Sequence, residues 1–150
     1  MNTTGNLIRS TPVHLDFQNI LTLDREQFPR PWSDNDWLEL NWDHHLLFGW
    51  KLESSTIGFI LFSMIPGDDS LHLLKICVHA KFRGQGIASV FWDACLKDLQ
   101  THGAKSIYLE VEAHNLQAIA FYKKVGFGTL RTNKGYYSDG TDAVIMQMTN

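Results

Sequence analysis

Apolar residues near the start of the chain recur every three or four positions, which is the period of an amphipathic helix. The residues that carry this period are Phe17, Ile20, Leu21, Leu23 and Phe28. Pro29 and Pro31 cannot continue a helix, so the pattern predicts that it ends there. Ser33, with Asp36 three residues later, is a capping-box signature and predicts a second, short helix. That helix is predicted to carry Trp37, Leu38 and Leu40.

From residue 46 the period changes to the alternation typical of strands. The stretches 46–53 and 56–65 predict a β-hairpin whose second strand is apolar on both faces and therefore central in a sheet. The segment 66–69 has the composition of a turn, and the run 71–79 predicts the next strand. The first 13 residues predict a frayed start that leads into a strand, at either Leu7 to Arg9 or Val13 to Leu15.

The second half alternates helices and strands. A helix over 87–99 is predicted from one apolar stripe, made of Ile87, Val90, Phe91, Ala94, Cys95 and Leu99. Gly103 follows it as a C-cap, and residues 106–112 alternate as a strand does. Asn115 is the predicted N-cap of a helix over 116–125, and the stretches 128–131 and 143–148 predict two last strands. This order predicts one α+β domain, residues 1–150, with helices packed on a mixed sheet.

Composition narrows the classes of function. Apolar residues make up 44% and charged residues 19% of the 150 positions, which is ordinary for a globular protein. The net charge of −3 gives no global field that would attract nucleic acid, although a local basic patch stays open. The apolar runs are far shorter than a membrane span, and the polar start is not that of a signal peptide. We therefore expect a cytoplasmic protein without a membrane or nucleic-acid partner.

Cysteine and histidine spacing predicts no metal site. Cys77 and Cys95 form no C-x-x-C pair and cannot build a disulfide framework, so we interpret them as small buried hydrophobic residues. The histidines are scattered, without the spacing of a zinc or iron site.

The stretch from Arg83 to Ser89 predicts an anion-binding loop. It follows a strand, contains Gly84 and Gly86, and enters a helix whose first N–H groups have no partner within the helix. An ordinary strand-to-helix turn is the alternative. A Walker loop and a dinucleotide fingerprint both require residues that are missing here. With these two motifs excluded, the pattern left to interpret is Arg-x-x-Gly-x-Ala.

This pattern resembles the acyl-CoA loop of the GNAT N-acetyltransferase superfamily. The resemblance extends over most of residues 70–148. The chain is similar in particular to the members of the superfamily that acetylate N-termini of ribosomal proteins. It is carried by residues 31–33, 76–78, 109–111, Asn115, 118–122, 126–127, 136–137, 139–140 and 142–146. It implies a mixed, mostly antiparallel, twisted sheet with helices on both faces, and a gap between two strands that takes acetyl-CoA.

The resemblance also implies the cofactor-binding residues. The main chain of residues 76–78 would pair with the pantetheine arm, the Val78 N–H would polarise the thioester carbonyl, and the loop would hold the pyrophosphate. The implied set is Ile76, Cys77, Val78, Arg83, Gly84, Gln85, Gly86, Ile87, Ala88, Ser89, Asn115 and Tyr122.

The resemblance assigns Glu110 as general base and Tyr122 as general acid to the departing thiolate. Glu110 lies on the strand face opposite Ile107 and Leu109, and Glu112 on the same face is the fallback. The structural alternative for Glu110 is an exposed glutamate in an ion pair. The structural alternative for Tyr122 is a packed tyrosine whose hydroxyl alone contacts water. Trp32, Glu112, Tyr136 and Tyr137 are the implied acceptor-side residues, with core packing or surface turns as alternatives.

We therefore expect direct acetyl transfer to a protein N-terminal amine. An α-amino group with a pKa of about 7.7–8.0 needs only about 1 kcal/mol to be neutral at pH 7, so a carboxylate acting through water suffices. The resemblance implies a small-subunit ribosomal protein as acceptor, and we expect a monomer or weak dimer. A lysine, polyamine, amino acid or antibiotic as acceptor remains open, as does a regulatory CoA-binding module without turnover.

Overall fold

A computed structural model describes residues 5–64 and 67–149 of the chain. In chain order its elements are β1 (Asn6–Ser10), α1 (Phe17–Gln27), α2 (Asp34–Leu38), β2 (His45–Leu52), β3 (Ser55–Met64), β4 (Ser70–Val78), a short 3-10 turn (Ala80–Phe82), α3 (Ile87–Thr101), β5 (Ser106–Glu112), α4 (Leu116–Val125), β6 (Gly128–Asn133) and β7 (Ala143–Thr149). The predicted frayed start at residues 1–4, the end of the hairpin at Ile65 and the start of the turn at Pro66 lie outside the described residues.

The strands form one sheet in the order β1-β2-β3-β4-β5-β7-β6. Strands β4 and β5 run parallel, and the other neighbouring pairs run antiparallel. Two hydrophobic clusters show that α1 and α2 pack on one face of the sheet and α3 and α4 on the other. The predicted mixed, mostly antiparallel sheet with helices on both faces is confirmed.

Strand β3 is central, as its apolar pattern predicts. Its residues from Thr56 to Phe62 are all buried, with Ile60 and Phe62 in the cluster under α3 and Phe59 and Leu61 in the cluster under α1. A strand covered on both faces has no polar side, which explains why the stretch does not alternate. Among the described residues, no helix is long and apolar enough to cross a membrane.

The structure decides one open prediction and differs from two others. The first strand is β1, which contains Leu7 to Arg9, whereas Val13 and Leu15 lie in an exposed turn and are each 93% exposed. Leu40 lies beyond the end of α2, whose last residue is Leu38. In α3, Val90 is 43% exposed while Trp92 is buried. The buried stripe of α3 is thus rotated toward the larger tryptophan ring, which fills more of the core than valine.

The divergence of β4 and β5 is the feature that positions the site. Along the described strands, these two pair at Ser70 with Ser106, Leu71 with Ile107 and His72 with Tyr108. Beyond these pairs, β5 continues against β7 and β4 continues against β3. The facing edges of β4 and β5 therefore separate and leave a gap that widens toward Val78.

Gly58 of β3 lets β4 approach closely beside this gap. A Cβ at Gly58 would lie 2.7 Å from the Cys77 carbonyl oxygen and 3.4 Å from the Phe91 ring. We expect Gly58→Ala to lower the free energy of unfolding by about 1–3 kcal/mol, because the methyl group overpacks the strand pair. Urea unfolding followed by circular dichroism measures the change.

Gly128→Ala is the matched control, because no described atom lies within 4 Å of a Cβ at that strand position. We expect it to leave the free energy of unfolding unchanged or to raise it by about 0.4–1 kcal/mol. Equal stabilities of the two variants would contradict the close approach at Gly58.

Candidate active site

An open cleft of about 430 Å³ occupies the gap beside β4. Four parts of the chain form its walls: the end of α1, the end of β4, the loop into α3, and one face of α4. The lining residues are Gln27, Phe28, Ile76, Cys77, Val78, Phe82, Arg83, Gly84, Gly86, Ile87, Ala88, Ser89, Asn115, Gln117, Ala118, Phe121, Tyr122 and Lys124. All of the implied cofactor-binding residues except Gln85 belong to this set.

The edge of β4 presents main-chain hydrogen-bonding groups to the gap. The His79 N–H donates to the Ile57 carbonyl at 2.8 Å and so points toward β3. Because successive N–H groups of a strand point to opposite edges, those of Val78 and Ile76 point toward the gap. An extended ligand with amide groups can pair with this edge as a neighbouring strand would.

The loop into α3 presents further N–H donors. Gly84 and Gly86 have φ values of +75° and +79°, a conformation that side chains disfavour. Gly86 is the N-cap of α3, and no described side chain caps this end of the helix. The first-turn N–H groups are therefore free for an anion at the positive end of the helix dipole. The main chain at this end of the cleft fits the pyrophosphate of coenzyme A.

Arg83 ties the loop to β4 and α1. Its Nε donates to the Val78 carbonyl at 2.9 Å, and its guanidinium also donates to Gln27 Oε1 at 3.2 Å. The same Gln27 oxygen accepts from the Ala80 N–H at 2.9 Å. The Arg83 side chain thus holds the end of β4 in place while its charge stays beside the loop.

Tyr122 of α4 contributes a buried phenol to the cleft. Burial, and secondarily the charge of Tyr137, raise its pKa to about 12. The phenol therefore stays protonated at neutral pH and can donate a hydrogen bond. Asn115 caps α4 as predicted, because its Oδ1 accepts from the Ala118 N–H at 3.1 Å.

Glu110 lies where β4 and β5 separate, on the face that carries α1. His72 Nε2 lies 2.5 Å from Glu110 Oε2, and Tyr136 lies close enough to the same carboxylate to be affected by its charge. The negative charge of Glu110 is the main reason that the pKa of Tyr136 is raised. The His72 ring also stacks on Tyr108, with centroids 4.5 Å apart. The Glu110 side chain is 19% exposed, so it is held by partners and still reaches solvent.

The implied acceptor-side residues lie outside the lining of the cleft. Tyr136 contacts Glu110, and Tyr137 packs against Tyr136 with ring centroids 5.0 Å apart. Burial raises the pKa of Tyr137 to about 12. Glu112 is exposed, and the Trp32 ring packs over the Lys75 ammonium at 4.6 Å. The structure thus brings Tyr136 near Glu110 and Tyr137 near Glu112, whereas Trp32 packs around Lys75.

Several residues of the site escaped the sequence analysis, notably Gln27, Phe28 and His72. His72 and Lys75 are polar residues within an otherwise apolar strand beside the predicted gap. This polarity is the feature of the sequence that could have indicated their place in the site. Phe28 was predicted only as the last apolar residue of the first helical pattern, and Gln27 was not predicted, since their approach to β4 depends on how α1 packs on the sheet.

Comparison with known proteins identifies the family. The model of the acetyltransferase (GNAT) family matches residues 17–127. The chain therefore belongs to the GNAT acetyltransferase family, and acetyl-CoA is its acetyl donor.

Two curated relatives are named for N-terminal acetylation. The chain is 32% identical over 143 residues to an N-alpha-acetyltransferase of Saccharolobus solfataricus. This alignment covers 87% of this chain and 86% of the relative. It is 27% identical over 121 residues to the [ribosomal protein bS18]-alanine N-acetyltransferase of Escherichia coli, covering 79% of this chain and 80% of the relative.

A solved structure confirms the fold. The ribosomal-protein-S18-alanine N-acetyltransferase from Escherichia coli aligns with a TM-score of 0.83 at 24% identity, covering 96% of this chain and 94% of that one. The expected GNAT fold is therefore confirmed.

The geometry of the glycine loop yields a binding prediction. We expect Gly86→Ala to weaken coenzyme A binding at least about tenfold, because a side chain at this φ strains the loop and displaces its N–H donors. Isothermal titration calorimetry with coenzyme A measures the change.

Gly103→Ala is the matched control, because Gly103 has a similar φ of +86° beyond the far end of α3. We expect comparable loss of thermal stability in both variants, with unchanged coenzyme A affinity in Gly103→Ala. Equal affinities in the two variants would contradict main-chain recognition by the loop.

Proposed function

We propose that the protein acetylates the α-amino group at a protein or peptide N-terminus, with Glu110 as general base and Tyr122 as hydrogen donor to the leaving sulfur. The observation that carries this proposal is the Glu110 carboxylate at the point where β4 and β5 separate, held there by His72. The names of the two curated relatives support the choice of acceptor.

The acceptor must lose a proton to attack the thioester. An α-amino group has a pKa of about 7.7–8.0 against about 10.4 for lysine, so neutral amine is more abundant at pH 7 by roughly two to three orders of magnitude. Glu110 accepts this proton directly or through one water molecule. An amine that loses its proton so easily needs only a weak base, and a partly solvent-exposed carboxylate such as Glu110 is sufficient.

His72 positions the base. Its Nε2 donates to the Glu110 carboxylate, so this carboxylate is already oriented before the acceptor binds. The stacking of His72 on Tyr108 in turn fixes the imidazole ring. Loss of His72 should leave the base in place but less well oriented.

The donor side uses main-chain groups and one phenol. The Val78 N–H donates to the thioester oxygen as negative charge develops there. A thiol has a pKa of roughly 8.5, so complete proton transfer from a phenol of pKa about 12 is uphill. Tyr122 therefore stabilises the departing sulfur by donating a hydrogen bond rather than by giving up its proton completely.

Within this class of acceptor we propose the N-terminus of a small-subunit ribosomal protein, because the 27% identical relative is named for acetylation of a ribosomal protein. We also propose that residues 1–150 act as one domain, since both faces of the sheet are covered by helices from across the described sequence.

An acceptor panel tests the reaction. We expect acetyl-CoA to be consumed with peptides that have a free N-terminus and no lysine, and not with N-terminally blocked peptides that contain lysine. Mass spectrometry of the products locates the acetyl group. Turnover of free polyamine without turnover of peptide N-termini would overturn the acceptor, and coenzyme A binding without any turnover would overturn the catalytic proposal.

Two variants test the assigned residues. We expect Glu110→Gln to lower kcat/KM by about 10²–10⁴-fold, because the amine loses its proton acceptor. Tyr122→Phe should lower kcat about tenfold, with the alkaline limb of the pH profile unmoved below pH 10, because the phenol stays protonated there. Steady-state kinetics and coenzyme A titration measure activity and binding separately.

Glu112→Gln is the comparison for Glu110, because Glu112 lies on the same strand face but is exposed. We expect a smaller loss of kcat/KM than in Glu110→Gln. A larger loss in Glu112→Gln would transfer the base to that residue, and full activity in both Glu110→Gln and Tyr122→Phe would refute the mechanism.

A further inference from the structure

A buried lysine lies beside the strand segment that faces the cleft. Lys75 of β4 directly precedes Ile76, and its side chain is 8% exposed. Its Nζ donates to Asp24 Oδ1 at 2.6 Å, and Asp24 of α1 is completely buried. Lysine and aspartate are rarely buried in this way unless they are paired. The pair therefore joins the last turns of α1 to the strand at the donor side.

Three aromatic rings surround the Lys75 ammonium. Its Nζ lies 4.7 Å from the ring centroid of Phe28, 4.6 Å from that of Trp32 and 5.9 Å from that of Trp37. These distances allow cation–π attraction, which is stronger when the cation is shielded from water. We call Lys75, Asp24 and these three rings the lysine cage.

The Asp24 carboxylate also anchors the segment that follows α1. Its Oδ2 accepts from the Trp32 main-chain N–H at 3.0 Å and from Trp37 Nε1 at 2.9 Å. One carboxylate thus holds α1, the connecting segment 28–33, α2 and, through Lys75, β4. Both oxygens of the Asp24 carboxylate therefore accept hydrogen bonds despite their burial.

Phe28 connects the lysine cage to the cleft. Its ring packs on the Lys75 ammonium, and Phe28 also lines the cleft beside Ile76 and Val78. A change at Lys75 is therefore transmitted to a cleft wall without Lys75 having to touch a substrate.

We infer that Lys75 is a positioning residue, whose ammonium in the lysine cage fixes Phe28 as a wall of the cleft beside Val78 and holds the following segment, up to residue 33, next to that wall. This inference rests on the proposed function, in which the acceptor amine loses its proton to Glu110, on the face of the sheet that carries α1. The fixed wall orients the acceptor before it meets the thioester. Lys75 therefore affects how the acceptor binds more than how the donor binds.

Kinetics of Lys75→Met test the inference. We expect the acceptor KM to rise at least about tenfold, because a displaced wall no longer orients the bound acceptor. We expect kcat and the coenzyme A affinity each to stay within about twofold of wild type. The double variant Asp24→Asn/Lys75→Met removes both charges and so leaves no buried charge unpaired. We expect it to regain most of the thermal stability lost in Lys75→Met while the acceptor KM stays raised. Recovery of both would make Lys75 a stability residue and overturn the inference.

Lys51→Met is the matched control. Lys51 of β2 pairs with buried Asp16 at 3.2 Å, at the other end of α1 and away from the cleft. We expect a loss of stability with an unchanged acceptor KM. A raised acceptor KM in this control would mean that any lost ion pair disturbs the site, which contradicts a specific role for Lys75.

An activity-independent measurement separates this inference from the proposed function. We expect hydrogen exchange of the segment 28–33 to become faster in Lys75→Met and to stay unchanged in Lys51→Met. Unchanged exchange in Lys75→Met would overturn the inference. If the wild type acetylates a lysine or small amine instead of N-termini, the proposed function fails, and the acceptor KM for that amine still tests Lys75.

Discussion

The separation of β4 and β5 is the constraint on which the rest of the site depends. Two neighbouring strands pair at one end and diverge at the other, so main-chain groups in the middle of a sheet are left without strand partners. Unpaired N–H and C=O groups are costly when buried. The open cleft keeps them accessible to water or to a ligand, and we propose that the acetyl donor takes the place of the missing strand.

The two proposed sides of the reaction are built differently. On the proposed donor side, glycine conformations and strand edges present main-chain groups, and Arg83 stabilises that main chain. On the proposed acceptor side, side chains define the surface, with Glu110 held by His72 and Lys75 held by Asp24. Helix α1 joins the two sides, since Asp24 binds the main chain at Trp32 and Gln27 reaches the loop at Arg83.

The sequence predicts local features well where one short stretch determines them. The capping box at Ser33, the cap of α4 at Asn115 and the buried strand β3 depend on neighbouring residues and are all present. Val90 was misplaced because its environment depends on how the whole helix rotates against the sheet. The His72–Glu110 contact joins residues 38 positions apart and follows from parallel pairing, which apolar periodicity does not encode. The Lys75–Asp24 contact depends in the same way on the packing of α1 over β4.

Recognition through the main chain also places few demands on evolutionary change. An apolar residue at position 76 can be exchanged for another without altering the N–H and C=O that face the gap. The fold itself tolerates wide sequence change, because a structure with 24% identical residues superimposes with a TM-score of 0.83. If the proposed mechanism holds, recognition of the acetyl donor survives such change, and a new acceptor requires substitutions among the side chains around the separating strands.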